Sequence, residues 1–481
     1  MPRLWGFAGC LVLVAAGCGD DGSDTGSGSG DSTGVPTTST TASGSGTQGE
    51  VTTAETMSGG ASTAASSSGD ATASATGSSG DTTGGPGTSG SSSGGEESSS
   101  SGTSGGVIDC SEVSRQPFDF SYLWVSNSPE GTVSKIDTQQ ALEVGRYESG
   151  PVGVRDPSRT SVSADGRYAV VVNRSGGITM IAAEDDECVD TNMNGVIDTS
   201  TGSGDVFTWG EDECVLWNVP LPGSGTTGPR PVSWTIGEQD PVSCEYAIGN
   251  VWVGWYDSAA NQGNFRLLDG ATGATLDDVA VPSWSGESWG PYGGAIDADN
   301  NFWAIGWGTN GPVVRIDGVT HTATHYGSAG GWIYGMGLDL EGNTWATGCG
   351  TPDVYRFDAV AETWETVASI SGANCLRGMQ VDSNGVAWIA KNGACGLAAI
   401  DTTTDPPTVI DDNIALPGCN TPVGVSIDAE GFVWVVDQGS NQAMKYDPTT
   451  GMIDATVGGL VSPYTYSDMT GAGIAAQILP S

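Results

Sequence analysis

Residues 422–434 read PVGVSIDAEGFVW: a short apolar strand, a turn that begins with Asp428, and a second strand that carries Trp434. A degenerate copy of this pattern surrounds Trp252. Further copies, with Asp in the turn and Trp or Tyr in the second strand, lie at residues 162–168, 296–303, 338–345 and 381–388. Where no insertion intervenes, the copies are about 40 residues apart, a period typical of four-stranded β-meanders stacked around an axis. The repeat predicts an all-β propeller with a central channel and two faces built from loops.

The last copy predicts the strands of one blade: strand A (Val423–Ile427), strand B (Phe432–Val436), strand C (Ala443–Tyr446) and strand D (Ile453–Val457). Asp suits the turn between strands A and B because it accepts hydrogen bonds from nearby amides, and Gly431 tolerates a positive φ. We expect the recurring turn aspartates to be structural: Asp165, Asp297, Asp339, Asp382 and Asp428. We expect the strand B tryptophans to pack between blades. They are Trp124, Trp252, Trp303, Trp345, Trp388 and Trp434.

Counting the copies gives seven blades, of which the first lacks a strand A. Its strands B to D are Tyr122–Ser126, Val133–Ile136 and Leu142–Tyr147. An unassigned strand A, Pro463–Asp468, stands near the end of the chain and matches Pro422–Asp428. We therefore predict that the C-terminal strand completes the first blade and closes the ring, which leaves no unpaired edge between the first and last blades.

The Pro-x-Gly that opens strand A, the Asp-x-x-Gly turn and the strand B Trp resemble the repeat of the streptogramin lyases, or virginiamycin B lyase-like propellers. They also share features with NHL-type repeats. The resemblance covers about Tyr122 to Ser481 and implies a seven-bladed fold. It further implies a lyase in which channel-facing histidines, including the x of Pro-x-Gly, move the proton of a ring-opening elimination.

The corresponding x positions of this chain carry no histidine. They are Val232, Tyr292, Tyr334, Arg377, Val423 and Tyr464. The two histidines, His321 and His325, fall at the outer strand D of the fourth blade, so we expect them to face away from the channel. Without a histidine base at these positions, the sequence disfavours this lyase mechanism, and it places no histidine to complete a Ser or Cys triad. An acid pair for glycoside cleavage stays open, because carboxylates are abundant.

The N-terminus has the features of a lipoprotein signal. Arg3 precedes an apolar core, Leu4–Ala16, and a lipobox ends at Cys18. This pattern predicts a signal peptide over residues 1–17 and a diacylglycerol anchor on the sulfur of Cys18. An ordinary secreted protein is the alternative.

Residues 18–106 are rich in Ser, Thr, Gly and acidic residues and contain no Lys or Arg. Such a segment cannot bury enough apolar surface to fold, which predicts a disordered linker before a propeller over residues 107–481. Gly19 gives no inner-membrane retention signal of the Asp type, so we expect the outer membrane or the cell surface.

The sequence is strongly acidic, with 15 Lys and Arg against 57 Asp and Glu and a net charge of -42. This charge disfavours binding to nucleic acid and to anionic lipid surfaces. We expect a monomer whose contact with the membrane is its lipid anchor.

The even number of cysteines in the folded part predicts disulfides in an exported protein. These cysteines are Cys110, Cys188, Cys214, Cys244, Cys349, Cys375, Cys395 and Cys419. Cys349 and Cys395 follow strand B, whereas Cys375 and Cys419 precede strand A, and these loops share one face. Two pairings stay open: Cys349–Cys375 with Cys395–Cys419, as equivalent pairs in successive blades, or Cys375–Cys395.

The second blade carries an insert, residues 184–215, with a candidate calcium loop. Side-chain oxygens at loop positions 1, 3, 5 and 9, with Gly195 at position 6, match the spacing of EF-hand loops. The expected structural Ca²⁺ ligands are Asp190, Asn192, Asn194, the Val196 carbonyl and Asp198. Thr201 replaces the Glu of position 12, so a further carboxylate would come from Glu211, Asp212 or Glu213 if Cys188 and Cys214 are bridged. An uncharged Asn/Asp turn is the alternative.

Aromatic and cationic residues collect in or beside the loops that lead into strand A. They are Trp289, Tyr292, Trp332, Tyr334, Arg377 and Tyr464. Aromatic side chains at a concave mouth suit stacking on sugars or holding a peptide, although they could also plug the axis. The sequence therefore favours a non-catalytic module that binds a glycan or protein. The alternative is a lyase-like enzyme with an altered, histidine-free active site.

Overall fold

The computed structural model describes residues 121–244, 246–284 and 289–478. The predicted signal peptide (1–17), Cys18, the linker (18–106) and Cys110 lie outside the described residues. The described chain forms seven antiparallel sheets, which are the seven predicted blades.

Blade 1 contains β1 (Tyr122–Asn127), β2 (Thr132–Asp137) and β3 (Leu142–Glu148), and blade 2 contains β4 (Pro157–Val162), β5 (Tyr168–Asn173), β6 (Gly177–Ala182) and β7 (Val215–Pro220). Blade 3 contains β8 (Val232–Trp234), β9 (Val251–Asp257), β10 (Gln262–Leu268) and β11 (Thr275–Pro282). Blade 4 contains β12 (Pro291–Ile296), β13 (Phe302–Gly306), β14 (Pro312–Ile316) and β15 (Ala323–Ser328). Blade 5 contains β16 (Ile333–Leu338), β17 (Thr344–Gly348), β18 (Asp353–Asp358) and β19 (Thr363–Ser369). Blade 6 contains β20 (Leu376–Val381), β21 (Val386–Lys391), β22 (Gly396–Asp401) and β23 (Thr408–Ala415). Blade 7 contains β24 (Pro422–Ile427), β25 (Val433–Asp437), β26 (Gln442–Asp447) and β27 (Met452–Gly458). One α-helix, α1 (Ala472–Ile478), follows.

Blades 2 to 7 are four-stranded meanders in the order A–B–C–D. Strands A of neighbouring blades contact each other and therefore surround the axis. Burial decreases outward: every residue of the strand A β24 is buried, whereas the strand D β27 alternates between exposed and partly buried residues. In blade 7 the register pairs Ser426 with Trp434, and Trp434 with Lys445.

We use two names for the ends of the channel. The mouth face carries the loops that lead into strand A and the loops from strand B to strand C. The turn face carries the A–B turns and the C–D loops, including the insert of blade 2. These faces lie at opposite ends of the meandering strands.

The turn aspartates have the structural role predicted for them. Asp428 Oδ1 accepts the N–H of Glu430 (3.1 Å) and of Phe432 (2.8 Å), and Asp428 Oδ2 accepts the indole N–H of Trp434 (2.9 Å). The same Asp–Trp bond occurs in blades 4, 5 and 6, at Asp297–Trp303, Asp339–Trp345 and Asp382–Trp388. The aspartate therefore fixes both the turn and the tryptophan of its own blade.

The strand B tryptophans also pack between blades, as predicted. Trp252 stacks on Phe302 of blade 4, with ring centroids 5.8 Å apart. Trp434 belongs to the same buried cluster as Leu123 and Val125 of blade 1. The apolar core thus lies between neighbouring sheets and continues around the ring.

The first blade is completed from the other end of the chain, as predicted, but by an irregular segment. The N–H of Tyr464 donates to Ser126 O (2.9 Å), and the N–H of Ser126 donates to Thr465 Oγ1 (2.5 Å) instead of to a backbone carbonyl. Ser462 and Ser467 have φ values of 41° and 70°. Because L residues rarely adopt such angles in a strand, the segment bends at both sides and pairs with β1 only at isolated positions.

Helix α1 lies against the strands A β12, β20 and β24 at the turn face. The carboxylate of Asp468 accepts the N–H groups of Gly471 (2.9 Å) and Ile474 (2.9 Å). Gln477 Nε2 donates to the backbone carbonyl of Asp339 (3.0 Å), in a turn of blade 5. The helix therefore covers the turn-face end of the inner strands.

Three disulfides join described cysteines: Cys188–Cys214, Cys349–Cys375 and Cys395–Cys419. The last two are the equivalent pairs of successive blades, so the structure excludes the other pairing that the sequence left open, Cys375–Cys395. Each links a B–C loop to the loop that leads into the next blade, on the mouth face. Disulfides indicate an extracytoplasmic location. Within the described residues, no helix has the length and apolar character needed to cross a membrane.

Candidate functional site

Three partly buried tryptophans contact one another at the mouth face. Trp289 and Trp332 precede β12 and β16, and Trp307 follows β13. Ring centroids are 5.8 Å apart for Trp289–Trp307 and 5.0 Å apart for Trp307–Trp332, the latter edge to face. The indole N–H of Trp332 is buried and has no hydrogen-bond acceptor among the described residues. We call these three residues the tryptophan trio.

Below the tryptophan trio, four buried tyrosines fill the channel. Their hydroxyl groups form one hydrogen-bonded cluster, with oxygen–oxygen distances of 3.0 Å for Tyr292–Tyr334, 3.1 Å for Tyr292–Tyr464, 2.5 Å for Tyr334–Tyr464 and 3.2 Å for Tyr466–Tyr334. Burial raises the pKa of Tyr334 and of Tyr466, so both stay protonated at neutral pH. We call these residues the tyrosine cluster, and it plugs the axis.

Two arginines are buried against the tyrosine cluster. Arg159 is 1 % exposed, and its guanidinium carbon lies 4.3 Å from the ring centroid of Tyr466 and 4.8 Å from that of Tyr292. Arg377 is 7 % exposed, and its Nη1 donates to Tyr466 Oη (3.1 Å) and Tyr334 Oη (3.4 Å). Burial disfavours the charge of both arginines, the surrounding tyrosines favour it, and the pKa of each lies above its ordinary value.

A third arginine connects this interior to the tryptophan trio. The guanidinium carbon of Arg230 lies 4.5 Å from the ring centroid of Trp289. Its side chain also donates to the carbonyls of Gly225 (2.8 Å), Thr226 (3.1 Å) and Gly228 (3.2 Å), which fixes its position. Cation–π contacts of this kind stabilise by about 0.5–2 kcal/mol.

Glycine in the Pro-x-Gly motif lets the inner strands approach the axis. A Cβ on Gly335 would lie 1.9 Å from the carbonyl oxygen of Arg377, and one on Gly424 would lie 2.2 Å from that of Thr465. The x residue before each glycine consequently reaches the centre of the channel. Tyr292 and Tyr334 meet there for this reason.

A small cavity of about 20 Å³ lies deeper in the channel than the x residues. Its lining includes Arg159, Tyr292, Tyr334, Tyr466 and Ser467. A cavity of this size holds about one water molecule. This cavity below the tyrosine cluster therefore has no room for an organic substrate.

The structure brings the sequence-derived mouth residues together in two layers. Tyr292, Tyr334, Arg377 and Tyr464 meet at the axis, whereas Trp289 and Trp332 lie above them on the mouth face.

Sequence reasoning missed several residues of this site: Arg159, Arg230, Trp307 and Tyr466. Arg159 stands where the strands A of blades 4 to 7 have the Gly that follows x, and alignment of Pro157–Val162 with Pro422–Ile427 would have revealed it. Tyr466 occupies the second position after x in the closing segment, where blade 7 has Val425. Trp307 and Arg230 lie just outside strands, where the repeat gives no register.

The histidines lie on the outside of the ring, as expected. His325 is in the strand D β15, and His321 is in the turn before it. His321 Nδ1 lies 2.7 Å from Asp277 Oδ2, and its ring contacts Trp252 edge-on at 5.5 Å. These contacts join blades 3 and 4 and leave both histidines away from the tyrosine cluster.

The candidate calcium loop forms a compact turn at the turn face. The carboxylate of Asp190 accepts the N–H groups of Asn194 (3.1 Å) and Gly195 (2.8 Å), and Gly195 has a φ of 86°. The amide groups of Asn192 and Asn194 both donate to Asp198 Oδ2, at 2.7 and 2.9 Å. The sequence-derived ligands are therefore grouped around one point.

The carboxylates proposed to complete this loop have other contacts. The carboxylate of Glu213 accepts hydrogen bonds from the N–H groups of Thr191 (2.8 Å), Asn192 (3.1 Å) and Asp198 (2.9 Å). These bonds lower the pKa of Glu213, and the bond from Asp198 has the largest effect. Asp212 accepts the N–H of Ser200 (3.0 Å). Both carboxylates therefore hold the backbone of the insert together.

Comparisons with solved structures support the propeller fold. A "putative 6-phosphogluconolactonase" from Bacteroides fragilis has a TM-score of 0.50 and 13% sequence identity, over 73% of this chain and 99% of that chain. Virginiamycin B lyase from Staphylococcus aureus has a TM-score of 0.44 and 14% identity, over 66% of this chain and 92% of that chain. A functionally unknown protein from Desulfotomaculum acetoxidans has a TM-score of 0.49 and 10% identity, over 71% of this chain and 96% of that chain. These identities show a similar fold and carry no activity over to this chain.

No protein-family model matches the sequence, and no curated protein matches it. The seven-bladed propeller that the resemblance to streptogramin lyases implies is confirmed by the structure itself.

Proposed function

We propose that this protein is a lipid-anchored binding module that holds a glycan at the mouth face of its propeller without converting it. The observation that carries the proposal is the tryptophan trio above a closed channel. Tryptophan rings give flat apolar surface for the faces of sugar rings, and the indole N–H of Trp332 offers a hydrogen-bond donor beside them. A protein partner is the other class that this surface could hold.

The interior offers support for binding rather than catalysis. The tyrosine cluster closes the axis, and the cavity beneath it has about 20 Å³. Within the described residues, no carboxylate or histidine is hydrogen-bonded to the hydroxyls of Tyr292, Tyr334 or Tyr466. A general base needs to stand within hydrogen-bond reach of the proton that it removes. A ligand would therefore rest on the mouth face.

The experiment that tests this proposal is a glycan-array screen of the full-length protein, with titration of any glycan that binds. Trp332→Ala and Trp289→Ala should each weaken binding about 5- to 150-fold, because loss of one stacked aromatic costs about 1–3 kcal/mol. Trp364→Ala is the matched control: Trp364 is also partly buried, but it lies on the outer strand β19 and donates to Gly327 O.

Three results would contradict the proposal. One is the absence of glycan binding together with saturable binding of an envelope protein, which would assign the mouth face to a protein partner. Another is conversion of a bound compound that Tyr334→Phe abolishes, which would make the protein an enzyme. The third is a Trp364→Ala variant that weakens glycan binding as much as Trp332→Ala does.

The anchor is part of the same proposal and has its own test. Cys18 follows an apolar stretch in a lipobox, and disulfides indicate export of the folded domain. Cys18→Ala should move the protein from the membrane fraction to the soluble or unprocessed fraction. Membrane retention of a cleaved Cys18→Ala protein would contradict lipidation.

We also propose that the loop of residues 190–198 binds Ca²⁺ in a structural role. The grouping of Asp190, Asn192, Asn194 and Asp198 supports it, since hard divalent cations prefer carboxylate and amide oxygens. Binding would require the two Asn amides to turn their oxygens toward the cation, in place of the N–H groups that now meet Asp198. Two Asn ligands and the Thr at position 12 favour weak affinity, about 10⁻⁴–10⁻³ M.

A further inference from the structure

We propose that a small monovalent anion, chloride or another halide, binds inside the channel beneath the tyrosine cluster, at the guanidinium group of Arg159 and next to that of Arg377. This interior site is separate from the glycan surface proposed above and does not depend on it.

The first argument is unbalanced charge. Several other buried or half-buried cations have carboxylate partners, such as Arg146 with Glu143 (2.7 Å) and Lys445 with Asp428 (3.3 Å). Within the described residues, no ion pair joins Arg159 or Arg377 to a carboxylate. A protein with 57 acidic residues thus keeps two buried guanidinium groups away from all of its described carboxylates.

The second argument compares magnitudes. Removing an ion from water costs several kcal/mol even after relaxation of the protein. The rings of Tyr292, Tyr464 and Tyr466 around Arg159 return part of this cost through cation–π contacts. The phenol groups are neutral, so they leave the net positive charge in place. Buried charges in proteins are paired with an opposite charge, and here that charge has to come from outside the described chain.

The third argument concerns hydrogen-bond donors. Among the described residues, the guanidinium of Arg159 makes one hydrogen bond, from Nη1 to the carbonyl of Ser158 (2.8 Å), although it has five N–H groups. The Nε of Arg377 is buried and has no acceptor among the described residues. The tyrosine hydroxyls are already engaged with each other and with Arg377. The donors that remain need an acceptor, and an anion is the strongest kind.

The cavity selects the size of the anion. It measures about 20 Å³, and Arg159, Tyr292 and Tyr466 are part of its wall. The wall also contains glycines at positions 293, 294, 335 and 378, which contribute no side-chain volume. One water-sized ion fits such a space, whereas a sulfate, a phosphate or a sugar acid is too large.

A carboxylate from a ligand at the mouth face would share this chemistry, so the two sources have to be distinguished. The 2.5 Å contact between the hydroxyls of Tyr334 and Tyr464 closes the path from the tryptophan trio to the cavity. A free ion can enter when the protein folds or opens transiently, but a group attached to a larger ligand cannot pass. This closure favours a free halide.

The test is thermal melting of the full-length protein at constant ionic strength, with sodium gluconate replaced stepwise by chloride, bromide or formate. Ligands that bind only the folded state raise the melting temperature by mass action. We expect a saturable rise with chloride and bromide. Arg159→Met should abolish the rise in melting temperature. Arg315→Met is the control and should retain the rise, because Arg315 lies on strand β14 and pairs with Asp317, with 3.4 Å between Nη2 and Oδ2.

Crystals soaked in bromide give a second measurement that does not depend on the folding of a variant. We expect an anomalous peak at hydrogen-bond distance from the guanidinium of Arg159. The proposal is overturned by a flat halide titration of the wild type, by an unchanged rise in Arg159→Met, or by bromide-soaked crystals with no peak in the channel. Stabilisation by formate but not by halides would instead assign the site to a carboxylate, and would equally overturn the halide proposal.

Discussion

The turn face and the mouth face are built by the same seven-fold repeat, yet their polar groups differ in how fully they are satisfied. At the turn face, the carboxylate of Asp339 accepts bonds from Glu341, Asn343 and Trp345 of its own blade. At the mouth face and just beneath it, the buried N–H of Trp332 and the Nε of Arg377 have no acceptor among the described residues. The repeat thus completes the hydrogen bonds of its Asp–Trp turns in blades 4 to 7, whereas donors near the mouth face stay unused among the described residues.

This difference shows how a repeat can supply both a frame and a site. An aspartate that is fully used by its own turn is not available for a ligand, however acidic the sequence is. Residues whose polar atoms the repeat does not satisfy are the ones that can gain from binding. The position of unused donors is therefore a better guide to function here than the position of the carboxylates.

The largest effect on stability should come from the turn face. Asp339→Ala removes four charge-assisted hydrogen bonds, from the N–H groups of Glu341 and Asn343, the side chain of Asn343 and the indole of Trp345, and leaves that buried indole N–H without an acceptor. We expect a loss of about 3–5 kcal/mol in the free energy of unfolding, measured by urea denaturation. Asp165→Ala is the control, because Asp165 accepts the N–H of Arg167 (3.1 Å) but no indole N–H among the described residues, and it should lose about 1 kcal/mol. Equal losses would show that the Asp–Trp bond adds nothing.

The disulfides of the mouth face should have the next largest effect. Cys349–Cys375 and Cys395–Cys419 close segments of similar length, with sequence separations of 26 and 24. The chain-entropy relation gives about 3 kcal/mol for each. We expect each double variant, Cys349→Ser/Cys375→Ser and Cys395→Ser/Cys419→Ser, to lose about this much free energy of unfolding, measured by urea denaturation. A loss confined to one pair would show that the two staples are not equivalent.

Calcium should have a smaller effect, limited to the insert. At millimolar calcium and a sub-millimolar dissociation constant, mass action gives about 1–2 kcal/mol. We expect calcium to protect residues 184–215 from proteolysis and to shift the melt, and EGTA to reverse both without unfolding the ring. Asp190→Ala and Asp198→Ala should remove the response. If wild-type protein shows neither protection nor a shift, the loop is only a turn.

Glu213 should make the insert sensitive to acid, with the smallest and most local effect. Hydrogen bonds from the N–H groups of Asp198, Asn192 and Thr191 lower its pKa in the folded state. Its contribution to stability is therefore present above the pKa of the unfolded state, about 4.3, and is lost as the pH falls through the lower folded pKa.

Hydrogen exchange, corrected for the intrinsic pH dependence of the rates, measures this effect. The amides of Thr191, Asn192 and Asp198 should lose protection as the pH falls below about 4, while amides of the central strands keep it. Glu213→Gln should lower protection already at pH 7 and remove the dependence on pH. Protection of these amides that is independent of pH in the wild type would contradict the role of Glu213.

The sequence was sufficient for the features that repeat. Asp428 and Trp434 recur in one register, so the blades, the turns and the inter-blade packing follow from local patterns. The match between Pro463–Asp468 and Pro422–Asp428 predicted the closure of the ring. The cysteine positions narrowed the pairing to two possibilities, and the structure identified Cys349–Cys375 and Cys395–Cys419.

The features that depart from the repeat were less predictable, for a physical reason. Arg159 replaces a glycine, so its importance appears only when the neighbouring strands show what surrounds that position. The indole bond of Trp434 depends on side-chain orientation, which spacing does not encode. Asp468 matches Asp428 in sequence but accepts the N–H groups of Gly471 and Ile474 at α1, while the indole N–H of Trp124 in the same blade remains without an acceptor.

The closing seam also has a consequence for the order in which the protein folds. The bond between Ser126 and Thr465 joins residues 339 positions apart in sequence, whereas the other blades form from neighbouring hairpins. Contacts of such long range are slow to form, because the intervening chain has to be ordered first. During synthesis and export, β1 would wait with one edge exposed until the last part of the chain arrives. That interval is when the protein is most exposed to aggregation through strand pairing.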